Sequence, residues 1–82
     1  MNHDDLLDKI AIIIADVLDT DKPQLDMQTT ANNIEGWDSL AHISIVTQIE
    51  SDFQVKFTLV ELAEFSTVGS IVQAIERKRN GD

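Results

Sequence analysis

Gly36-Trp37-Asp38-Ser39-Leu40 lies at the middle of the chain and divides two kinds of sequence. Before it runs an irregular polar segment, and after it aliphatic residues recur at the three- and four-residue steps of a helix. Ser39 therefore falls at or next to a helix N-terminus, with an exposed hydroxyl. Helix N-termini leave backbone N–H groups unpaired and carry partial positive charge, so they seat phosphates readily. A serine in that seat can carry a phosphodiester. It can equally be half of an Asp-Ser helix cap, and these five residues alone leave both readings open.

Working outward, residues 38–53 read as one helix with Leu40, Ile43, Val46, Ile49 and Phe53 as its inward stripe and Ile45 beside it. Upstream, residues 4–18 form another. Leu6, Leu7, Ile10, Ile13, Ile14, Val17 and Leu18 make its apolar face, and Ile12 interrupts the pattern. Between the two helices, residues 19–36 hold the only proline, Pro23, and make a long loop that Leu25, Met27 and Ile34 pin to the bundle. Asp19 and Asp21 resemble the start of a calcium-binding loop. The pattern then fails, because Gln24 stands where such a loop needs glycine and Thr30 where it needs a bidentate acid.

Downstream, residues 54–57 read as an extended connector burying Val55 and Phe57. Thr58-Leu59-Val60-Glu61 has the form of a capping box opening a short helix, with Leu59, Leu62, Ala63 and Phe65 available to pack. Ser66-Thr67 caps a last helix over 68–79 that faces Val68, Ile71, Val72 and Ile75 inward. Arg77, Lys78 and Arg79 in its final turn complement the helix dipole, and Gly81 lies beyond. The expected architecture is all-α: three main helices and a short third one in a single domain over residues 1–82.

Composition narrows the function. Fifteen acids against six bases give a formal charge of −9, which repels nucleic acid and anionic lipid and favours basic patches on other proteins. There is no cysteine, so no disulfide or thiolate metal site holds the fold. The acidic start of the chain does not form a signal peptide, and the run Ile10–Ala15 is too short to span a bilayer. Ser39 and His42 share a helix face, but no oxyanion hole or orienting acid accompanies them, so a hydrolytic dyad is not expected. His3 and His42 lack metal-site spacing.

Asp38-Ser39-Leu40 at the start of the second of four helices, in an acidic domain of this length, resembles the acyl carrier protein family. The likeness spans nearly the whole chain. It includes the Ile49-Glu50-Ser51-Asp52-Phe53 close of the second helix and the Ser66-Thr67-Val68 entry to the fourth. The resemblance implies a phosphopantetheine arm placed on Ser39 by a phosphopantetheinyl transferase, with Asp38 and Leu40 flanking it. It also implies a cytoplasmic monomer that carries acyl thioesters between acyl-activating or acyl-transferring enzymes and is not itself an enzyme. By position, the face such partners read includes Trp37, Asp38, Leu40, Ala41, Ile45 and Glu50.

Family members serving fatty-acid synthesis are dense in acids after the serine, whereas here no acid follows until Glu50, and Trp37 is bulkier than the usual residue. This form is similar to free-standing carriers of specialised pathways, such as those making modified lipids, polyketides or surface polysaccharides. A carrier of aminoacyl or peptidyl groups shares the fold and the serine. An unmodified helical interaction module would keep the fold without the arm.

Overall fold

The computed structural model describes residues 2–79. Over these residues the chain forms α1 (His3–Leu18), a 3-10 turn (Ala31–Asn33), α2 (Ser39–Phe53), α3 (Leu59–Ala63) and α4 (Val68–Arg79). No strand occurs among the described residues, and 54–57 is the expected connector. The expected Gly81 lies outside them.

Each helix begins where its side chains can satisfy the first turn. Asn2 accepts the Asp5 N–H at the head of α1. Asp38 accepts the Ala41 N–H at the head of α2. Thr58 and Glu61 exchange side-chain and backbone bonds at α3, which is the capping box the sequence shows. At α4, Thr67 Oγ1 accepts the Ser70 N–H and Ser70 Oγ accepts the Thr67 N–H, a reciprocal pair of the same kind. α1 and α2 both end on a left-handed residue that is not glycine, Asp19 at φ 56° and Gln54 at φ 57°. In each case the next N–H reaches back to a carbonyl of the last turn, Thr20 to Ala15 and Val55 to Glu50.

The core joins Leu6, Ile10, Ile13 and Ile14 of α1 to Ile45, Ile49 and Phe53 of α2, and to Val68, Ile71, Val72 and Ile75 of α4. α1 packs on both α2 and α4. Ile12 is exposed, so α1 is buried on one side only. Leu25, Met27 and Ile34 pack against the core and pin the long loop as expected.

On two helices the burial differs from the sequence reading. Leu40 and Ile43 of α2 are 77% and 63% exposed, whereas Ile45 is fully buried. Aliphatic residues surround most of this helix, so hydrophobicity alone does not select a face. At about 100° per residue, turning Ile45, Ile49 and Phe53 towards α1 carries Leu40 and Ile43 outward. On α3, Leu59 and Ala63 face solvent with Val60, Leu62 is its one partly covered apolar residue, and Phe65 just beyond the helix is partly covered too. Five residues bury one narrow edge, and Phe65 completes it by an edge-on contact with Phe57 at 5.0 Å.

The basic end of α4 does more than complement the dipole. Lys78 Nζ lies 3.0 Å and Arg77 3.9 Å from the Glu61 carboxylate, tying α3 to α4. The Thr58 N–H bond, foremost, and then Lys78 hold the Glu61 carboxyl below its usual 4.5. A depressed carboxyl contributes stability that is present above 4.5 and is lost as pH falls through its folded value. Glu61→Gln is therefore expected to unfold at lower temperature than the parent at neutral pH. The gap should narrow as pH is taken below 4.5 in a series of thermal melts, and a pH-independent gap would contradict this.

Among the described residues, no helix is long and apolar enough to cross a membrane.

Candidate functional site

Two backbone bonds fix the loop that leads to Ser39. The Val68 N–H donates to Thr29 O at 2.7 Å and the Gly69 N–H to Met27 O at 2.9 Å, so the start of α4 holds the middle of the loop. Thr29 is buried there, and its hydroxyl and N–H close a turn with Asp26. After the 3-10 turn, the Trp37 N–H donates to Ile34 O. Gly36 occupies the third position of that turn at φ 91°, a conformation that a side chain would strain. The chain is thereby turned so that Asp38 caps α2 and Ser39 becomes its first residue.

Ser39 is exposed. Asp38 Oδ1 takes the Ala41 N–H at 2.8 Å and Asp38 O takes the His42 N–H at 2.8 Å. The N–H groups of Ser39 and Leu40 have no protein acceptor among the described residues. Two free donors thus flank an exposed hydroxyl at the positive end of a 15-residue helix. An open cleft of about 660 Å³ adjoins it, lined by Ala31, Asn32, Trp37, Asp38, Ser39, His42, Ile43 and Phe65. This donor set fits one phosphate ester, with the cleft beside it as the way out for a longer chain.

Trp37 and His42 form the wall of this cleft. Their rings stack with centroids 5.9 Å apart, and the indole Nε1–H donates to His42 Nδ1 at 3.2 Å. Trp37 also packs on the core, so it serves as an anchor of the bundle end. An indole only donates, so this bond needs an unprotonated Nδ1 and leaves the proton of the neutral ring on Nε2. Burial holds the imidazole below its usual 6.5. The stability of the pair is therefore present above 6.5 and is lost as pH falls through the lower folded value.

Of the residues expected to meet partners, Asp38 and Leu40 stand beside Ser39 at the exposed head of α2. Ala41 and Trp37 are half-buried against the core. Ile45, expected on that face, is fully buried in the core. Glu50 faces inward enough for its carboxylate to accept the Phe57 N–H at 2.9 Å, which fixes the connector after α2. Glu50→Ala would strand that N–H. A loss of about 1–2 kcal/mol in urea unfolding is expected, with a smaller loss for Glu50→Gln, which keeps an acceptor. Sequence reasoning placed Ile43 and Leu59 away from this surface and did not single out Val60. Their exposure follows from the rotation of α2 and the brevity of α3, neither of which the apolar pattern encodes.

Comparison with known proteins agrees with this geometry. Residues 8–75 match the family model described as a phosphopantetheine attachment site. The chain is 34% identical over 77 residues to the acyl carrier protein of Thermotoga maritima, covering 94% of this chain and 95% of that one. It is 29% identical over 82 residues to the acyl carrier protein of Petrotoga mobilis, covering 100% and 96%. Its fold superposes with a TM-score of 0.80 on the solution structure of the holo acyl carrier protein of Geobacter metallireducens, at 32% identity and covering 93% and 92% of the two chains. A family model that spans most of the chain, with relatives matched nearly end to end, shows that the chain belongs to the acyl carrier protein family.

Proposed function

We propose that the chain carries acyl groups as thioesters on a phosphopantetheine arm joined to Ser39 Oγ. The observation that supports this most directly is the exposed Ser39 hydroxyl at the first position of α2, with the free Ser39 and Leu40 N–H groups beside it. When bound, the arm supplies the thiol that this cysteine-free chain lacks. Asp38 fixes the backbone of the attachment residue by capping α2. Its Oδ1 already accepts the Ala41 N–H, and the His42 Nδ1 lone pair is committed to the indole. Neither side chain is hydrogen-bonded to Ser39 Oγ, and activation of the hydroxyl is assigned to the transferase. The same geometry removes the hydrolytic dyad.

Leu40 and Ile43 on α2, and Leu59 and Val60 on α3, are the large aliphatic side chains exposed on the helices nearest the site. No acid follows Ser39 on α2 before Glu50, whose carboxylate is engaged internally. The partner enzymes of this reading dock on an apolar face, with less electrostatic steering than an acidic second helix provides. That favours a dedicated role in a specialised acyl pathway over a general fatty-acid one. The test is intact mass before and after incubation with coenzyme A and a phosphopantetheinyl transferase of broad specificity. The expected gain is one phosphopantetheine; no gain with several transferases would overturn the reading.

A further inference from the structure

His42 lies one turn along α2 from Ser39, on the same face, and both line the cleft. Trp37 holds His42 Nδ1 on one side of the ring. The opposite nitrogen, Nε2, carries the proton of the neutral ring and has no protein partner among the described residues. Asp38 is the other charged residue lining the cleft, and its Oδ1 is occupied by the Ala41 N–H. The α3–α4 connection contributes only Phe65 to the cleft, and the loop before α2 contributes Ala31, Asn32 and Trp37, none of which titrates.

We propose that Trp37 and His42 form a positioning pair for the arm, in which the indole orients the imidazole so that Nε2–H donates to the phosphodiester on Ser39, linking arming to the proton on His42. The inference rests on the Ser39 reading above. Its physical content is a competition. The indole bond and burial favour the neutral ring, because protonating Nδ1 breaks the bond and places a cation in a partly dry cleft. A phosphodiester monoanion one turn away favours the imidazolium. Arming therefore raises the pH at which His42 titrates. By linkage, protonation of His42 equally stabilises the armed form over the unarmed one. A histidine out of reach of the arm would not respond to it.

The experiment uses the whole chain, unarmed and armed with coenzyme A and transferase, with arming confirmed by mass. The His42 ring is followed by NMR from pH 4.5 to 8, together with the phosphorus resonance of the arm. His3 is the internal control, since it lies outside the cleft with its Nε2 3.0 Å from Glu76. The expected result is a higher titration midpoint for His42 in the armed protein. The phosphorus resonance should follow the His42 midpoint and lose that response in His42→Gln, which keeps an N–H donor but nothing to titrate. Trp37→Phe keeps a ring over the imidazole and removes the indole N–H. It should raise the His42 midpoint in the unarmed protein, which gives a second reading should His42→Gln fail to fold. Equal His42 midpoints in the two forms, or a phosphorus signal indifferent to them, would overturn this inference alone. Failure to gain mass would overturn the Ser39 reading and this one with it.

Discussion

Ser39→Ala is expected to abolish phosphopantetheine loading completely while leaving the fold intact. The variant lacks the only atom through which the arm can be joined at this site, so the mass gain seen with the parent should vanish rather than diminish. Stability should change by no more than about 0.5 kcal/mol, because Ser39 is exposed and its side chain makes no hydrogen bond among the described residues. Alanine is also the better helix former at that position. Thermal melts and mass spectrometry on the same sample separate the two effects. Loading that persists in Ser39→Ala would move the attachment point elsewhere. Asp38→Ala is the informative companion. It keeps the hydroxyl but removes the bond to the Ala41 N–H, at a cost of about 1 kcal/mol, and it should load more slowly because the first turn of α2 frays. Asp38→Asn retains the cap and isolates the contribution of the negative charge.

Gly69→Ala should produce the largest loss of stability from removing no interaction at all. Gly69 is buried at the start of α4, and an added Cβ would overlap the Met27 carbonyl oxygen and lie 3.1 Å from its carbon. Those are backbone atoms, so no side-chain rotation relieves the overlap. The loop must lift, weakening the Gly69 bond to Met27 O and the Val68 bond to Thr29 O. Overpacking of this kind costs about 1–3 kcal/mol, and each compromised bond adds about 0.5–1.5 kcal/mol. Against this stands about 1 kcal/mol of improved helix propensity. The net expectation is a loss of about 2–3 kcal/mol, a large share of the roughly 4–12 kcal/mol a domain of this length possesses. The thermal midpoint should fall by about 10 °C or more. Gln73→Ala, at an exposed position of the same helix, is the control and should change little. A Gly69→Ala protein as stable as the parent would show that α4 does not hold the loop.

The two variants probe one path. The contact at Gly69 holds the middle of the loop, and the turn at Gly36 directs its end. Trp37 anchors it against the core, and Asp38 then starts α2 with Ser39 in first place. Gly69→Ala loosens that path far from the hydroxyl, whereas Ser39→Ala removes the hydroxyl and leaves the path.

The sequence by itself determined the four helices and the caps of α2, α3 and α4, because each depends on residues within a few positions of one another. The α3 capping box needs only Thr58 and Glu61, and the α2 cap only Asp38 and Ala41. The apolar stripes of α1 and α4 are narrow enough to name their buried faces. Tertiary structure decided what local pattern could not. α2 is aliphatic around most of its circumference, so only packing against α1 chose Ile45 for the core and turned Leu40 and Ile43 outward. Glu50 reads as a surface acid until the chain folds back and brings the Phe57 N–H to it. Nothing local marks Gly69, and only the Met27 backbone laid across it shows that a side chain there has no room. The Trp37–His42 bond spans five residues across a loop–helix junction, and no periodicity predicts it. Contacts between elements depend on how helices are rotated and where a loop returns, and these are set by the fit of the whole core.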